Sequence, residues 1–350
     1  MRELDLTEEM RLKRARSRRG RKRGLKLQSV ALMVSVALAV MFAVVLFVKQ
    51  PSNAQEARGD YKQRYQYDRI IEVDGVKYRE RKRVTTILLL GIDRDTDQAE
   101  DADYFNGGLA DFERLIVIDE GRKKVFQLQI DRDTITPITI LGPLGDELGK
   151  APRQICVAHS FGDGAETSRR YAVDAVSEFL LGSPVNFCIA LRMDGISVLN
   201  DLVGGIEVTL DDDFSNIEPG WTKGATVTLM GDQAETFVRR RMDVSDGTNE
   251  SRMRRQQQYI DKLAAKLMRR FSNNKNFIGT VYDALEDYMS TDISRGRLIN
   301  EVWNAKNFER PDLLTLPGEH VVNEYNNMEF YVEEGAVQQL VLELFYEPLK

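Results

Sequence analysis

Nineteen consecutive residues, Val30 to Val48, carry a single polar side chain, Ser35. Wound as an α-helix at about 1.5 Å per residue, such a run spans roughly 28 Å, the depth of a bilayer's hydrocarbon core. Ahead of it, residues 1–26 hold 11 Lys and Arg against 4 Asp and Glu, a net charge of +7. No comparable basic cluster lies just after it. This asymmetry predicts a single-pass membrane protein with its N-terminus in the cytoplasm and its C-terminal body outside the cell. Ser52-Asn53-Ala54 offers a small-x-small cleavage site. The apolar run is longer than the ~7–15 residues of a cleavable signal, so an uncleaved anchor is expected. The expected division is a basic tail (1–26), a transmembrane helix (27–49), a polar juxtamembrane spacer (50–69) and an extracellular body (70–350).

The chain beyond the tail holds 38 basic and 51 acidic residues, a net of −13. An acidic body disfavours nonspecific nucleic-acid binding. The short cytoplasmic tail has no helix-turn-helix pattern, so no specific nucleic-acid partner is expected. Cys156 and Cys188 are the two cysteines, each between apolar residues. Buried free thiols are the expectation; a disulfide in an oxidising compartment is the alternative.

Strand and helix signals alternate along the body. Ile70–Val73 and Val76–Tyr78 flank Asp74-Gly75, a hairpin signature. Val84–Leu90 (VTTILLL) is an unbroken apolar run of strand length, read as a strand buried on both faces, with Asp93 at its C-terminal end. Residues 98–110 read as an acidic, glycine-containing loop. Leu115–Ile118 and Val125–Ile130 are two further strands, the second running into Asp131-Arg132-Asp133-Thr134. Helical spacing marks 171–181. A strand follows at 185–191. The next helix, 196–203, takes Asp194 as its expected N-cap and ends at Gly204-Gly205. Ile206–Leu210 alternates as a strand. A helix opens at Gly231-Asp232, and a longer one at Ser251 carries Ile260, Leu263, Ala264, Leu267 and Phe271 on one stripe. Helices are also predicted at 276–289, 295–304 and 334–346. The fold class is α/β, a central sheet flanked by helices.

Residues 238–258, VRRRMDVSDGTNESRMRRQQQ, contain six arginines and no lysine. A solvated basic face would account for the composition alone. The guanidinium group, however, is planar, permanently charged and suited to bidentate contact with phosphate oxygens. Arg252, Arg255 and Gln256 fall on one helical face near a helix N-terminus, where the macrodipole adds to the attraction for an anion.

LLLGIDR (88–94), ADF (110–112), IDRDT (130–134), LVGGIEV (202–208), VRRR (238–241) and Arg252-x-x-Arg255-Gln256 occur in an order and spacing that resembles the LytR-CpsA-Psr family. The likeness includes the basic tail and anchor and runs from about Val84 to the C-terminus. It implies a mixed central β-sheet flanked by helices, and an enzyme moving a glycopolymer from a polyprenyl-pyrophosphate carrier to peptidoglycan at the outer membrane face. Asp93 and Asp111 resemble the family's aspartate pair for Mg²⁺ (or Mn²⁺). Arg132, Arg239, Arg241 and Arg252 resemble the arginines around the pyrophosphate. Asp111, Asp93, Arg132 and Arg252 take the catalytic positions, Arg255 and Gln256 bind beside them, and Asp133 matches a supporting position. The sequence departs where Gly108-Leu109-Ala110 replaces an Arg before Asp111, and where Gln154-Ile155-Cys156 replaces a Lys-Ile-Asn segment.

Elementary chemistry supports the same constellation. A pyrophosphate binds to an acidic protein only where arginines and a cation overcome the surrounding field. Hard carboxylate oxygens suit Mg²⁺, which also takes phosphate oxygens and keeps water. The acceptor, a sugar hydroxyl, needs a base or a metal-lowered pKa; Asp111 and Asp93 are both open to that role, while His159 reads as structural. A lipid-pyrophosphate hydrolase or binding module and a membrane-bound transcriptional attenuator are the alternatives.

Overall fold

The computed structural model describes residues 70–93, 104–240, 244, 249–333 and 335–349; for Arg239 and part of the helix over 249–273 the description stops at the backbone. The tail, the Val30–Val48 span, Arg94 and Arg241 lie outside these residues. No described helix is long and apolar enough to cross a membrane.

Strands β1 (Ile70–Val73) and β2 (Val76–Glu80) form the expected hairpin. Asp74 and Gly75 turn it with φ of 51° and 77°, a left-handed pair that aspartate tolerates and glycine favours. Three long strands follow, β3 (Val84–Asp93), β4 (Leu109–Asp119) and β5 (Lys124–Ile130), then a second hairpin, β6 (Ile135–Leu141) and β7 (Glu147–Gln154). Helices α1 (Val157–Ser160) and α2 (Glu166–Phe179) lead to β8 (Phe187–Arg192) and α3 (Gly195–Leu202). After the pair β9 (Ile206–Thr209) and β10 (Thr226–Leu229) come α4 (Asp232–Arg239), α5 (Asn249–Asn273) and α6 (Phe277–Leu285). The chain closes through β11 (Met289–Thr291), α7 (Arg295–Ala305), β12 (Leu314–Thr315), a third hairpin of β13 (Gly318–Val322) and β14 (Met328–Val332), α8 (Ala336–Phe345) and β15 (Tyr346–Pro348).

The central sheet has the order β11-β8-β3-β4-β5-β12. β3 pairs with β8 in parallel, and β5 with β12; the other pairs are antiparallel, so the sheet is mixed. Side chains alternate across it, and both faces are apolar. Ile87, Leu89, Ile116 and Ile118 pack with residues of α3 to α7, including Leu263, Leu267 and Phe271 of the expected α5 stripe. Leu88, Leu90, Leu115, Val117 and Leu128 pack with α2 and α8. A three-layer arrangement results, and it explains why VTTILLL has no polar face.

Two local outcomes differ from the sequence reading. β4 begins at Leu109, so Asp111 is inside a strand, not in the loop before it. Asp194 occupies the N-cap position of α3 but makes no cap bond; its carboxylate accepts from Arg192 Nη2 at 3.0 Å, the nearer competitor. Both cysteines are buried free thiols, as expected, and burial pushes Cys156 up to about 12.

Candidate active site

The pairing of β3 with β4 loses register between Gly91 and Ile92: Phe112 faces Gly91 and Ala110 faces Ile92, leaving Asp111 as the extra residue. Such a bulge re-aims a side chain and twists the strand locally. Asp93 ends β3 opposite Leu109 and is exposed, whereas Asp111 is 4% exposed. Burial raises the Asp111 carboxyl to about 6, Arg132 opposes the shift, and the nearby negative charges of Asp93 and Asp133 add to it.

Arg132 follows β5 and enters the same space. Its Nη1 donates to Asp111 Oδ1, its Nε lies 3.5 Å from Asp133 Oδ1, and its Nη2 is 3.4 Å from Cys156 Sγ. The departure at Cys156 therefore falls against the guanidinium. Asp133 is fixed in turn by Gln154 Nε2, which donates to Oδ1 at 2.7 Å and to the Met328 carbonyl at 2.6 Å. Glu113, two residues beyond Asp111, is 1% exposed, and its carboxylate makes no hydrogen bond among the described residues. Desolvation raises it to about 8, which keeps it a neutral acid at physiological pH.

A cavity of about 570 Å³ opens over this cluster. Asp111, Arg114, Asp131, Arg132 and His320 are among its polar lining, and Phe179, Leu313, Leu316 and Phe330 among its apolar lining. A charged end and an apolar wall in one space suit an amphiphile with an anionic head. Two carboxylates at adjoining strand positions fit a Mg²⁺-type ion that takes its remaining ligands from phosphate and water. No group of three or more Asp, Glu, His or Cys that could hold a metal is found among the described residues.

The other arginines divide. Arg255 is 2% exposed and turned into the body, not toward an open anion site: Nη1 pairs with Asp212, Nε donates to the Phe237 carbonyl at 3.2 Å, and Nη2 to the Arg240 carbonyl. Its guanidinium lies 5.3 Å above the Phe214 ring. It thereby caps the end of α4, where carbonyls lack helical partners. Arg239 ends α4 and Arg252 and Gln256 sit in the first turns of α5. Their side chains, like all of Arg241, are outside the description. Arg240 is exposed.

His159 is structural in its setting. Its ring is 1% exposed, Nδ1 donates to the Gly108 carbonyl at 3.2 Å, and Nε2 has no partner among the described residues. This bond holds the entry to β4. Gly107 is required beside it, since a Cβ there would sit 1.9 Å from the His159 carbonyl oxygen. Desolvation lowers His159 to about 4 from an ordinary 6.5. The folded-state pKa is depressed, so the associated stability is present above pH ~6.5 and is lost as pH falls toward 4. Thermal melts across that window should show a steeper acid loss in the wild-type protein than in His159→Gln; equal slopes would refute the assignment.

Glu113 and His320 are site residues that local pattern did not single out, whereas Asp131 and Gln154 were marked only as members of their motifs. Glu113 had one signal, its i+2 relation to Asp111 on a strand. His320 had none, because its contact with Asp131 crosses 189 residues of chain.

A mixed sheet between two helical layers, with a carboxylate–arginine cluster at the end of its central strands, defines an α/β protein with a charged site at one sheet end. The family described as LytR_cpsA_psr matches residues 44–345, and the chain belongs to that family. A Bacillus cereus protein named polyisoprenyl-teichoic acid–peptidoglycan teichoic acid transferase TagU is 28% identical over 260 residues, 74% of this chain and 77% of that one. An Enterococcus faecalis protein of the same name is 27% identical over 213 residues, covering 61% and 63%. The crystal structure of B. subtilis TagV superposes with a TM-score of 0.51 at 21% identity, over 75% of this chain and 96% of that one. A Streptococcus agalactiae protein gives 0.53 at 22% identity, over 75% and 86%. These two likenesses support the fold.

Proposed function

We propose that the protein is a transferase that moves a teichoic-acid-type glycopolymer from a polyprenyl-pyrophosphate carrier to peptidoglycan. The observation that carries this reading is the shared cavity of Asp111 and Arg132 with an apolar wall. Its support from outside the site is family membership and the printed activity of the TagU relatives. The acceptor hydroxyl attacks the glycan-bearing phosphorus, a new P–O bond forms, the pyrophosphate bond breaks, and polyprenyl phosphate leaves.

Arg132 binds charge that grows on the phosphoryl oxygens, already oriented by Asp111 and Asp133. Arg239, Arg241 and Arg252 extend the clamp from the α4–α5 connection. Arg255 acts as a positioning residue, because its donors hold the end of α4. Gln256 is assigned to the pyrophosphate beside Arg252. Asp93 and Asp111 would hold Mg²⁺, or Mn²⁺ in its place. When bound, that ion polarises the phosphoryl group and neutralises the leaving phosphate. Leu313, Leu316 and Phe330 accommodate part of the prenyl chain.

The full chain in detergent should convert polyprenyl-pyrophosphate-linked saccharide into a glycan–phosphate adduct only when a glycan acceptor is added, and should stop in excess chelator. Equal release of saccharide phosphate without acceptor would make the protein a hydrolase. The basic tail and the Val30–Val48 span support a cell-membrane protein with its body outside. Protease added to intact protoplasts should therefore digest the body; protection, or a mature N-terminus after Ala54, contradicts this topology.

A further inference from the structure

The cavity wall carries a second titratable pair that the reaction above leaves unused. His320, in β13, places Nε2 2.9 Å from Asp131 Oδ2, and both residues line the cavity with Asp111 and Arg132. The imidazole packs on the Phe330 ring, centroids 4.5 Å apart, and its side chain is 37% exposed. Asp131 is itself held: its Oδ1 accepts from the Asp133 amide at 2.9 Å and its carbonyl from Thr134 at 3.0 Å.

The pair is not needed to attach the hairpin. Phe330 N donates to the Asp133 carbonyl at 2.7 Å, and the Met328 carbonyl accepts from Gln154. Both bonds tie β14 to the site without His320. What the pair adds is an imidazole with a fixed direction. Nε2–H points at a carboxylate, so Nδ1 keeps its lone pair, and Nδ1 has no partner among the described residues. A carboxylate behind the ring orients it. Asp133 lies within electrostatic reach as a second carboxylate. Glu319 is its neighbour on the strand, and Arg132 and Arg114 are the cations that line the cavity with His320.

We infer that His320, oriented by Asp131, is the general base that takes the proton from the acceptor sugar hydroxyl. This rests on the glycan-transfer reading and adds the base to it. As the acceptor oxygen bonds to phosphorus, its proton passes to His320 Nδ1, and the electron pair of the broken pyrophosphate bond stays on the departing polyprenyl phosphate. The imidazolium then loses its proton to solvent through its exposed edge. Asp111, bonded to Arg132 and assigned to the metal, is thereby free of proton transfer.

The test uses the full chain in detergent with polyprenyl-pyrophosphate-linked saccharide and a chitooligosaccharide acceptor. His320→Gln keeps an amide donor for Asp131 and should fold with the hairpin in place. Its transfer rate is expected to fall about a hundredfold or more, with binding of the lipid-linked saccharide unchanged. His320→Ala should regain transfer on addition of imidazole, a response that loss of a structural pin does not give. A wild-type rate in His320→Gln, or a defective His320→Ala that imidazole does not restore, overturns the base assignment and leaves the transfer reading standing. A wild-type protein with no acceptor-dependent product takes both down.

Discussion

Arg132→Ala is expected to lower turnover of the lipid-linked saccharide tenfold to a hundredfold. The substitution removes charge-assisted hydrogen bonds worth about 1.5–3 kcal/mol in the transition state. It also removes the cation that lies against both Asp111 and Asp133. Lysine should restore little, because an ammonium cannot hold a carboxylate and a phosphate with one planar fork. Asp111→Asn should abolish metal-dependent transfer, while Arg239→Ala and Arg252→Ala should resemble Arg132→Ala. Arg240→Ala is the control: the residue is exposed and only its carbonyl is used by Arg255. Rates for the four arginine variants in one assay decide the matter. Should Arg240→Ala be as damaging as the others, the region is a diffuse basic surface and the clamp is wrong.

The second large effect is on stability. Arg255→Ala leaves Asp212, 5% exposed, with a buried charge and no guanidinium, and frees the Phe237 and Arg240 carbonyls. Breaking a buried pair from one side costs about 3–5 kcal/mol. Denaturant titration of the purified full chain should show that loss, with Arg254→Ala, an exposed neighbour, close to wild type. Replacing Arg255 by Met and Asp212 by Leu together should recover much of it, since two apolar groups need no partner. A wild-type midpoint in Arg255→Ala would remove the capping role and return Arg255 to the set of candidate anion ligands.

How far each part could be read in advance follows from where its information lies. β3 and the α5 stripe were legible because burial on both faces, or on one helical face, is written in adjacent residues. The first hairpin was legible because Asp74-Gly75 has few other uses. β7, ELGKAPRQ, has no apolar period and is mostly exposed; it is a strand because β6 supplies the ladder. The start of β4 was read as loop because Asp111 and Glu113 look like surface residues until Arg132, Asp133 and Cys156 arrive from later in the chain. Arg255 illustrates the same limit. Helical spacing put it with Arg252 and Gln256, but spacing carries no record of Asp212, 43 residues earlier, which turns it inward. Local pattern reports faces; it does not report which face finds a partner.

The irregularity at Asp111 has a bearing on how such a site tolerates change. Ala110 and Ile92 are opposed in the ladder and belong to one apolar cluster, while Asp111 stands beside them as a supernumerary residue. Packing and chemistry are thus assigned to two different residues where a regular strand would offer one. A chain shortened by a single residue here would have to seat the carboxylate in the slot that Ala110 fills, with nothing to solvate it. A substitution at Asp111 keeps the slot filled and forfeits the charge that pairs with Arg132. Spacing in this stretch therefore constrains the chain as strictly as identity, and insertions or deletions between Leu109 and Phe112 cost the apolar packing as well as the site.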